Sequence, residues 1–119
     1  MPVDPAGVMD AYTAAINAGD VAKALSLVAE DAVYDRPPPL GILTGKDAIR
    51  GFIESLVTRK AKVERIGVRH VSGELVKWTS RVTLIDPENP SAPPTVTENN
   101  SESIVRGGKI VQYTARPRQ

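Results

Sequence analysis

The chain has 119 residues and nearly balanced charge, with 15 basic and 14 acidic side chains and a net charge of +1. A chain of this length forms one domain around one core, so we expect a single domain over residues 1–119. Apolar residues make up 41% and charged residues 24%, which is typical of globular proteins and argues against nucleic-acid or membrane partners.

The sequence contains no cysteine and a single histidine, His70. Disulfides, thiol nucleophiles and thiolate metal sites are therefore excluded, and one histidine cannot build a His-rich zinc site. We expect no metal and no cofactor. The N-terminus lacks the pattern of a signal peptide, and no apolar run reaches membrane-spanning length, so the default location is cytoplasmic.

The first residues predict two short helices joined by a tight corner. Asp4 is a plausible N-cap with Pro5 at the first helical position, and apolar side chains recur at helical spacing over residues 8–16. Gly19 ends this helix, and Asp20 caps the next. The stripe of the second helix comprises Val21, Ala24, Leu25 and Val28.

A short strand, "AVYD" at residues 32–35, follows and is ended by three prolines, which cannot donate to a sheet. Thr44 is then a plausible N-cap, with Asp47 three residues later in a variant of the capping box. The apolar stripe of this third helix comprises Ile49, Phe52, Ile53 and Leu56.

After Lys60 the apolar period changes from helical to two, which predicts strands. "KVERIGVRHV" and "ELVKWTSRVTLID" form a hairpin through "SGE", and "TVTENNSESIV" and "KIVQYTAR" pair around "RGGK". Three helices followed by such strands predict an α+β domain: a cone-shaped, curved antiparallel or mixed sheet whose pocket the three helices close.

Four segments, "AYTAAINAGD", "ALSLVAEDAVYDRP", "GKDAIRGFI" and "VRGGKIVQY", resemble the nuclear transport factor 2-like superfamily. Its SnoaL-like polyketide cyclases and its ketosteroid isomerases are the most similar. The resemblance implies the cone-shaped fold and a homodimer formed through the sheet face. The superfamily includes isomerases, cyclases, epoxide hydrolases and domains without activity.

The ketosteroid isomerases use a tyrosine, a carboxylate at the end of the first strand and a late-strand acid. By resemblance Tyr12 matches the tyrosine, whereas the position of the carboxylate falls on Arg36, with Asp35 one residue earlier. The late-strand acid falls near Ser101, beside Glu102. Because strands alternate faces, a one-residue offset reverses a side chain unless a bulge corrects it.

Asp35 and His70 are the candidates for proton transfer, with Tyr12 donating a hydrogen bond to a developing oxyanion. A carboxylate at a pocket mouth suits a general base, but Asp35 and Arg36 equally suit a surface ion pair. Arg36 also suits a carboxylate or enolate oxygen of a ligand. His70 shares a face with Ile66 and looks into the cavity only if that face is the inner one.

Trp78 lies on an alternating stripe with Val76 and Val82, which predicts an inner face. Alternate residues of the strand over 95–105 share a face, and Ser101 lies on one face and Glu98 and Glu102 on the other. Alternation alone leaves open which of the two faces is the inner one. The residues that we expect to contact a ligand are Arg36, Leu40, Phe52, Trp78, Ser101, Glu102 and Tyr113.

The leading hypothesis is a cofactor-independent acid–base enzyme, an isomerase or cyclase, that acts on a small, mostly apolar carbonyl compound. An alternative is a non-catalytic module for ligand binding or dimerisation, favoured by the displaced base and by an aromatic content of only 4%. An epoxide-hydrolase-type enzyme is a further alternative. That resemblance requires an arginine and an aspartate two residues apart. Arg81 suits the arginine, but the residue two positions later is a threonine, Thr83.

Overall fold

The three helices precede most of the strands in the computed structural model, which describes residues 4–118. In chain order the elements are α1 (Pro5–Asn17), α2 (Val21–Ser26), β1 (Val28–Arg36), β2 (Gly41–Thr44), α3 (Lys46–Thr58), β3 (Lys62–Ser72), β4 (Leu75–Leu84), β5 (Thr95–Arg106) and β6 (Lys109–Pro117).

The predicted caps of the first two helices are confirmed. The Asp4 carboxylate accepts a 2.8 Å hydrogen bond from the Gly7 N–H, and the Asp20 carboxylate accepts one of 3.0 Å from the Lys23 N–H. Gly19 follows α1 with a φ of +73°, which only glycine adopts without strain. α2 ends at Ser26, however, because Val28 already belongs to β1 and pairs with Ile110.

The region around β1 and β2 differs from the prediction in three ways. β1 is longer than residues 32–35, and the four-residue strand β2 was not predicted. Thr44 is not the N-cap of α3, since it pairs with Val33 in the sheet. Gly45 occupies the cap position instead and provides no side-chain hydrogen bond.

The strands form a mixed sheet in the order β2-β1-β6-β5-β4-β3, in which only β1 and β6 run parallel. The α+β prediction is confirmed, and β2 and β3 are the two edges of the sheet. One face of the sheet, here called the inner face, packs against the helices around a core that includes Val8, Ile49 and Val76. The opposite face is called the outer face.

The side chain of Asn17, at the end of α1, is attached to the backbone of the edge strand β3. Its amide nitrogen donates to the Val63 carbonyl at 2.9 Å, and its oxygen accepts from the Val63 N–H at 2.7 Å. Both backbone groups therefore point away from β4 and are satisfied by a helix side chain.

None of the helices within residues 4–118 is long and apolar enough to cross a membrane.

Candidate ligand-binding cavity

The inner face follows from the strand register. Trp78 stands opposite Ser101, Ser80 opposite Asn99, and Val82 opposite Thr97. The predicted inner stripe of β4 is thereby confirmed, and the set with Ser101 is the inward one in β5. The sequence left that point open because both sets of β5 are polar.

A cavity of about 460 Å³ lies between this face and the helices. This volume lies within the range of small-molecule sites. Its walls are mainly apolar, and its lining comprises Met9, Tyr12, Thr13, Ile16, Arg36, Pro37, Leu40, Phe52, Leu56, Val63, Trp78, Ser80, Val82, Leu84, Thr97, Glu98, Asn99, Tyr113, Ala115 and Pro117.

A smaller side cavity of about 210 Å³ opens between α1 and β3. It shares Met9, Thr13, Val63 and Trp78 with the main cavity, so the two spaces adjoin. Arg69 lines it and forms an ion pair of 2.6 Å with Asp10 across the opening.

The five aromatic residues of the chain gather at the main cavity. Four of them line it, and Tyr34 lies behind them, fully buried. The Tyr34 ring centroid is 5.0 Å from that of Tyr113 and 6.2 Å from that of Phe52, and Trp78 is 6.1 Å from Tyr113. The low aromatic content is thus no argument against an aromatic ligand, because the few rings present are concentrated in one place.

Tyr12 and Tyr34 share a buried hydrogen bond of 2.9 Å between their hydroxyl oxygens. Each hydroxyl has one proton, so a single bond between them leaves one proton unused. Within residues 4–118 neither hydroxyl donates to a further acceptor. Tyr34 is fully buried and has no other acceptor among the described residues, so it donates to Tyr12, and the Tyr12 proton at the cavity wall is left to a ligand.

The three tyrosines are neutral hydrogen-bonding groups at ordinary pH. Burial raises the pKa of Tyr12 above its usual value, although the hydrogen bond from Tyr34 offsets part of the effect. Burial likewise raises the pKa of Tyr34. It also raises the pKa of Tyr113, and the nearby Ser101 hydroxyl offsets part of that increase. These phenols donate hydrogen bonds and do not supply a base.

Arg36 lies on the inner face at the end of β1 and lines the cavity. Its Nε donates to the Gly41 carbonyl at 3.1 Å, its Nη2 donates to the Leu40 carbonyl at 2.8 Å, and its guanidinium carbon lies 4.9 Å from the centroid of the Phe52 ring. The loop of prolines is thereby held against the cavity mouth. Leu40, 58% exposed, lies at this mouth as well.

Asp35 lies on the outer face, away from the cavity. Its carboxylate accepts a hydrogen bond of 2.7 Å from Arg116, in a pair whose side chains are both partly exposed. The register of β1 with β2 is continuous from Val33 to Arg36, so no bulge turns Asp35 inward. The sequence left open whether Asp35 or Arg36 faces the cavity, and the structure places Arg36 there.

His70 and Glu102 also lie on the outer face. His70 is exposed and stands opposite Lys77, which belongs to the outer set of β4, as does Thr79, the partner of Ile66. Lys77 forms an ion pair of 3.4 Å with Glu102. These side chains line an open groove of about 430 Å³. The homodimer expected through this face stays a prediction.

Among the other residues expected to contact a ligand, Phe52, Trp78 and Tyr113 line the cavity. Ser101 is buried on the inner side of β5 but is not part of the lining. Glu98 reaches the rim, where Arg81 and Arg118 hold it, and the hydrogen bond from Arg81 lowers the pKa of Glu98. It is therefore an ionised, paired side chain and not a buried acid.

The lining residues that sequence analysis missed come mostly from strand ends and from α1. Thr97 and Asn99 belong to the inward set of β5, and Ala115 and Pro117 continue the alternation of β6 from Tyr113. The alternation of β6 was a usable signal. The inward set of β5 required the strand pairing.

Residues 9–113 match the family model described as the SnoaL-like domain. No curated protein shows significant similarity to the chain. Many solved structures share the fold at low sequence identity, and three of them are described next; at these identities the likeness shows the fold alone.

The first is the epoxide hydrolase/cyclase-like enzyme SalBIII, described with a role in pyran ring formation in the polyether salinomycin. It is 20% identical with a TM-score of 0.80, over 97% of this chain and 91% of that one. A putative polyketide cyclase from Pseudomonas putida is 22% identical with a TM-score of 0.77, over 98% and 93%. An NTF2-like protein of unknown function from Cytophaga hutchinsonii is 13% identical with a TM-score of 0.79, over 99% and 93%.

Proposed function

Because the chain belongs to the SnoaL-like domain family, we propose that it binds a small, planar, mostly apolar molecule carrying a carbonyl oxygen. The observation that carries this proposal is the unused proton of Tyr12 in a cavity walled by aromatic rings. Rings supply apolar contact, and one fixed donor orients the oxygen.

Binding is favoured over proton abstraction by a side chain. Among the described residues that line the cavity, Glu98 is the one carboxylate, and Arg81 and Arg118 hold it at the rim. Asp35 and His70, the two candidates for the base, lie on the other face of the sheet. A base must come within hydrogen-bond reach of the proton that it removes.

The test is calorimetric titration with 2-acetylnaphthalene, a neutral aromatic ketone. A change in the emission of Trp78, the single tryptophan, reports binding beside it, and a loss of affinity in Tyr12→Phe assigns the ligand to the main cavity, because Tyr12 lines neither the side cavity nor the outer groove. We expect Tyr12→Phe to weaken binding by about five- to tenfold, the effect of one lost hydrogen bond. Asp35→Asn is the control on the outer face. Equal affinity of the wild type and Tyr12→Phe would reject Tyr12 as the donor, and failure to bind would reject the function.

A second candidate is proton exchange next to the bound carbonyl, and the same Tyr12 proton favours it. A hydrogen bond to the carbonyl oxygen stabilises the enolate that forms when the adjacent C–H proton leaves to water. In D₂O a deuteron from the solvent then replaces that proton. Nuclear magnetic resonance of 2-acetylnaphthalene in D₂O measures the exchange at its methyl group.

This candidate predicts faster exchange with the protein than in buffer and loss of the effect in Tyr12→Phe. Asp35→Asn and His70→Asn are expected to retain it, because both side chains lie outside the cavity. An exchange rate equal to that in buffer would leave binding as the function. Loss of exchange in Asp35→Asn alone would instead restore that residue as the base.

A further inference from the structure

Arg36 is fixed at the cavity mouth by three contacts. Two are hydrogen bonds to the carbonyls of Leu40 and Gly41, and the third is the face of the Phe52 ring at 4.9 Å. An arginine has five N–H donors, so three remain after these two bonds. The guanidinium is thus preorganised and retains donors for a further acceptor.

The charge of Arg36 is not neutralised by the protein. Both of its acceptors are uncharged carbonyls, and within residues 4–118 no carboxylate lies within 4.0 Å of its nitrogens. Other arginines of the chain are paired: Arg69 with Asp10 at 2.6 Å and Arg116 with Asp35 at 2.7 Å, for example. Arg36 is set apart from these by its place on the cavity wall.

The rest of the rim does not compensate this charge. Glu98, the carboxylate among the described lining residues, accepts from Arg81 at 2.9 and 3.0 Å and from Arg118 at 3.2 Å. Two cations already balance it, so the rim carries a net positive charge. Apolar walls strengthen the attraction of such a charge for an anion, because they exclude water.

We propose that the ligand of this cavity is an organic anion, whose carboxylate or enolate oxygen binds Arg36 at the mouth while its planar apolar body lies against Phe52, Trp78 and Tyr113. This inference rests on the proposed function and names the charge of its ligand. In this proposal Arg36 and Tyr12 bind different oxygens of the ligand, so the two contacts are tested with different compounds.

The experiment compares 2-naphthoate with 2-naphthamide, two ligands of nearly equal shape that differ in charge, by calorimetric titration. We expect the wild type to bind 2-naphthoate at least about tenfold more tightly, since hydrogen bonds to ionised groups are stronger than neutral ones. Arg36→Met is expected to weaken the binding of 2-naphthoate much more than that of 2-naphthamide and thereby to remove this preference, and the remaining binding of 2-naphthamide shows that the cavity is intact. The preference should also shrink as salt rises.

The matched control is Arg50→Met, which removes the same charge from an exposed position on α3. It should retain the preference for 2-naphthoate. Equal affinities for the two compounds in the wild type would overturn this inference and leave the proposed function standing. A preference that survives Arg36→Met would also overturn it. Binding of neither compound would reject the proposed function, and this inference with it.

Discussion

Asp35 and Arg36 are neighbours in the chain, yet their side chains lie on opposite faces of the sheet. The Asp35 carboxylate is 2.7 Å from Arg116 on the outer face, whereas Arg36 reaches the Leu40 carbonyl at 2.8 Å on the inner one. The alternation of β1 separates the two charges and gives each a different partner. Asp35 therefore stabilises the sheet, and Arg36 borders the cavity.

Removing the acid should affect stability slightly and binding not at all. For Asp35→Asn we expect a loss of less than about 1 kcal/mol in the free energy of unfolding, since exposed ion pairs contribute little. Urea denaturation measures the loss, and calorimetric titration with 2-acetylnaphthalene measures binding. A tenfold loss of affinity in this variant would contradict the assignment of Asp35 to the outer face.

The bond between Tyr12 and Tyr34 should be measurable as a coupling energy. We expect a double-mutant cycle of Tyr12→Phe and Tyr34→Phe to give a coupling of about 1 kcal/mol in the free energy of unfolding. Each single variant retains the ring and therefore the packing. Strictly additive losses would show that the two hydroxyls do not interact.

Stability should decline steeply at alkaline pH. In the unfolded chain the tyrosines lose their protons near the usual pKa of 10.0, whereas burial raises the pKa values of Tyr12, Tyr34 and Tyr113 in the fold. Above pH 10 the unfolded state thus binds fewer protons, and the free energy of unfolding falls as pH rises. Stability from this source is fully present below pH 10.

The slope of the free energy of unfolding against pH identifies the groups that cause this decline. Each tyrosine that stays protonated in the fold contributes up to about 1.4 kcal/mol per pH unit. Urea denaturation of the wild type and Tyr113→Phe between pH 9 and 11 should give a shallower slope for the variant. The difference between the two proteins is the relevant quantity, because it isolates the contribution of Tyr113. Identical slopes would show that Tyr113 titrates normally.

The two hydrogen bonds between Asn17 and Val63, although exposed, should together stabilise the fold more than a single exposed side-chain bond does. We expect Asn17→Ala to lower the free energy of unfolding by about 1–3 kcal/mol, because it leaves two backbone groups of β3 without their partners. Asn100→Ala, which loses one bond of 2.9 Å to Thr79 on the outer face, is the control. Equal losses in the two variants would mean that water replaces Asn17 at the strand.

Local features were predictable from the sequence, whereas those that depend on strand pairing were not. The caps at Asp4 and Asp20 involve residues three apart, so the sequence contains all that decides them. β2 has only four residues between the prolines and Gly45, too few for an apolar period to show. Its pairing with β1 sets the direction of Arg36, which is why that direction was left open.

The composition of the cavity was hidden for a similar reason. Its aromatic rings are spread from Tyr12 to Tyr113 along the chain and meet only in the tertiary fold. The inner set of β5, which includes Thr97, Asn99 and Ser101, is as polar as the outer one, so hydrophobic alternation did not distinguish them. Strands with two polar faces specify their orientation weakly.

The attachment of Asn17 to Val63 also bears on aggregation. An edge strand with free N–H and C=O groups is a template on which another chain can extend the sheet. At Val63 a helix side chain already occupies the position that such a strand would take. Farther along β3, the irregularity between Ile66 and His70 breaks the straight run of backbone, and at the other edge β2 is only four residues long. Fibre growth by strand addition is therefore opposed at both edges of the sheet.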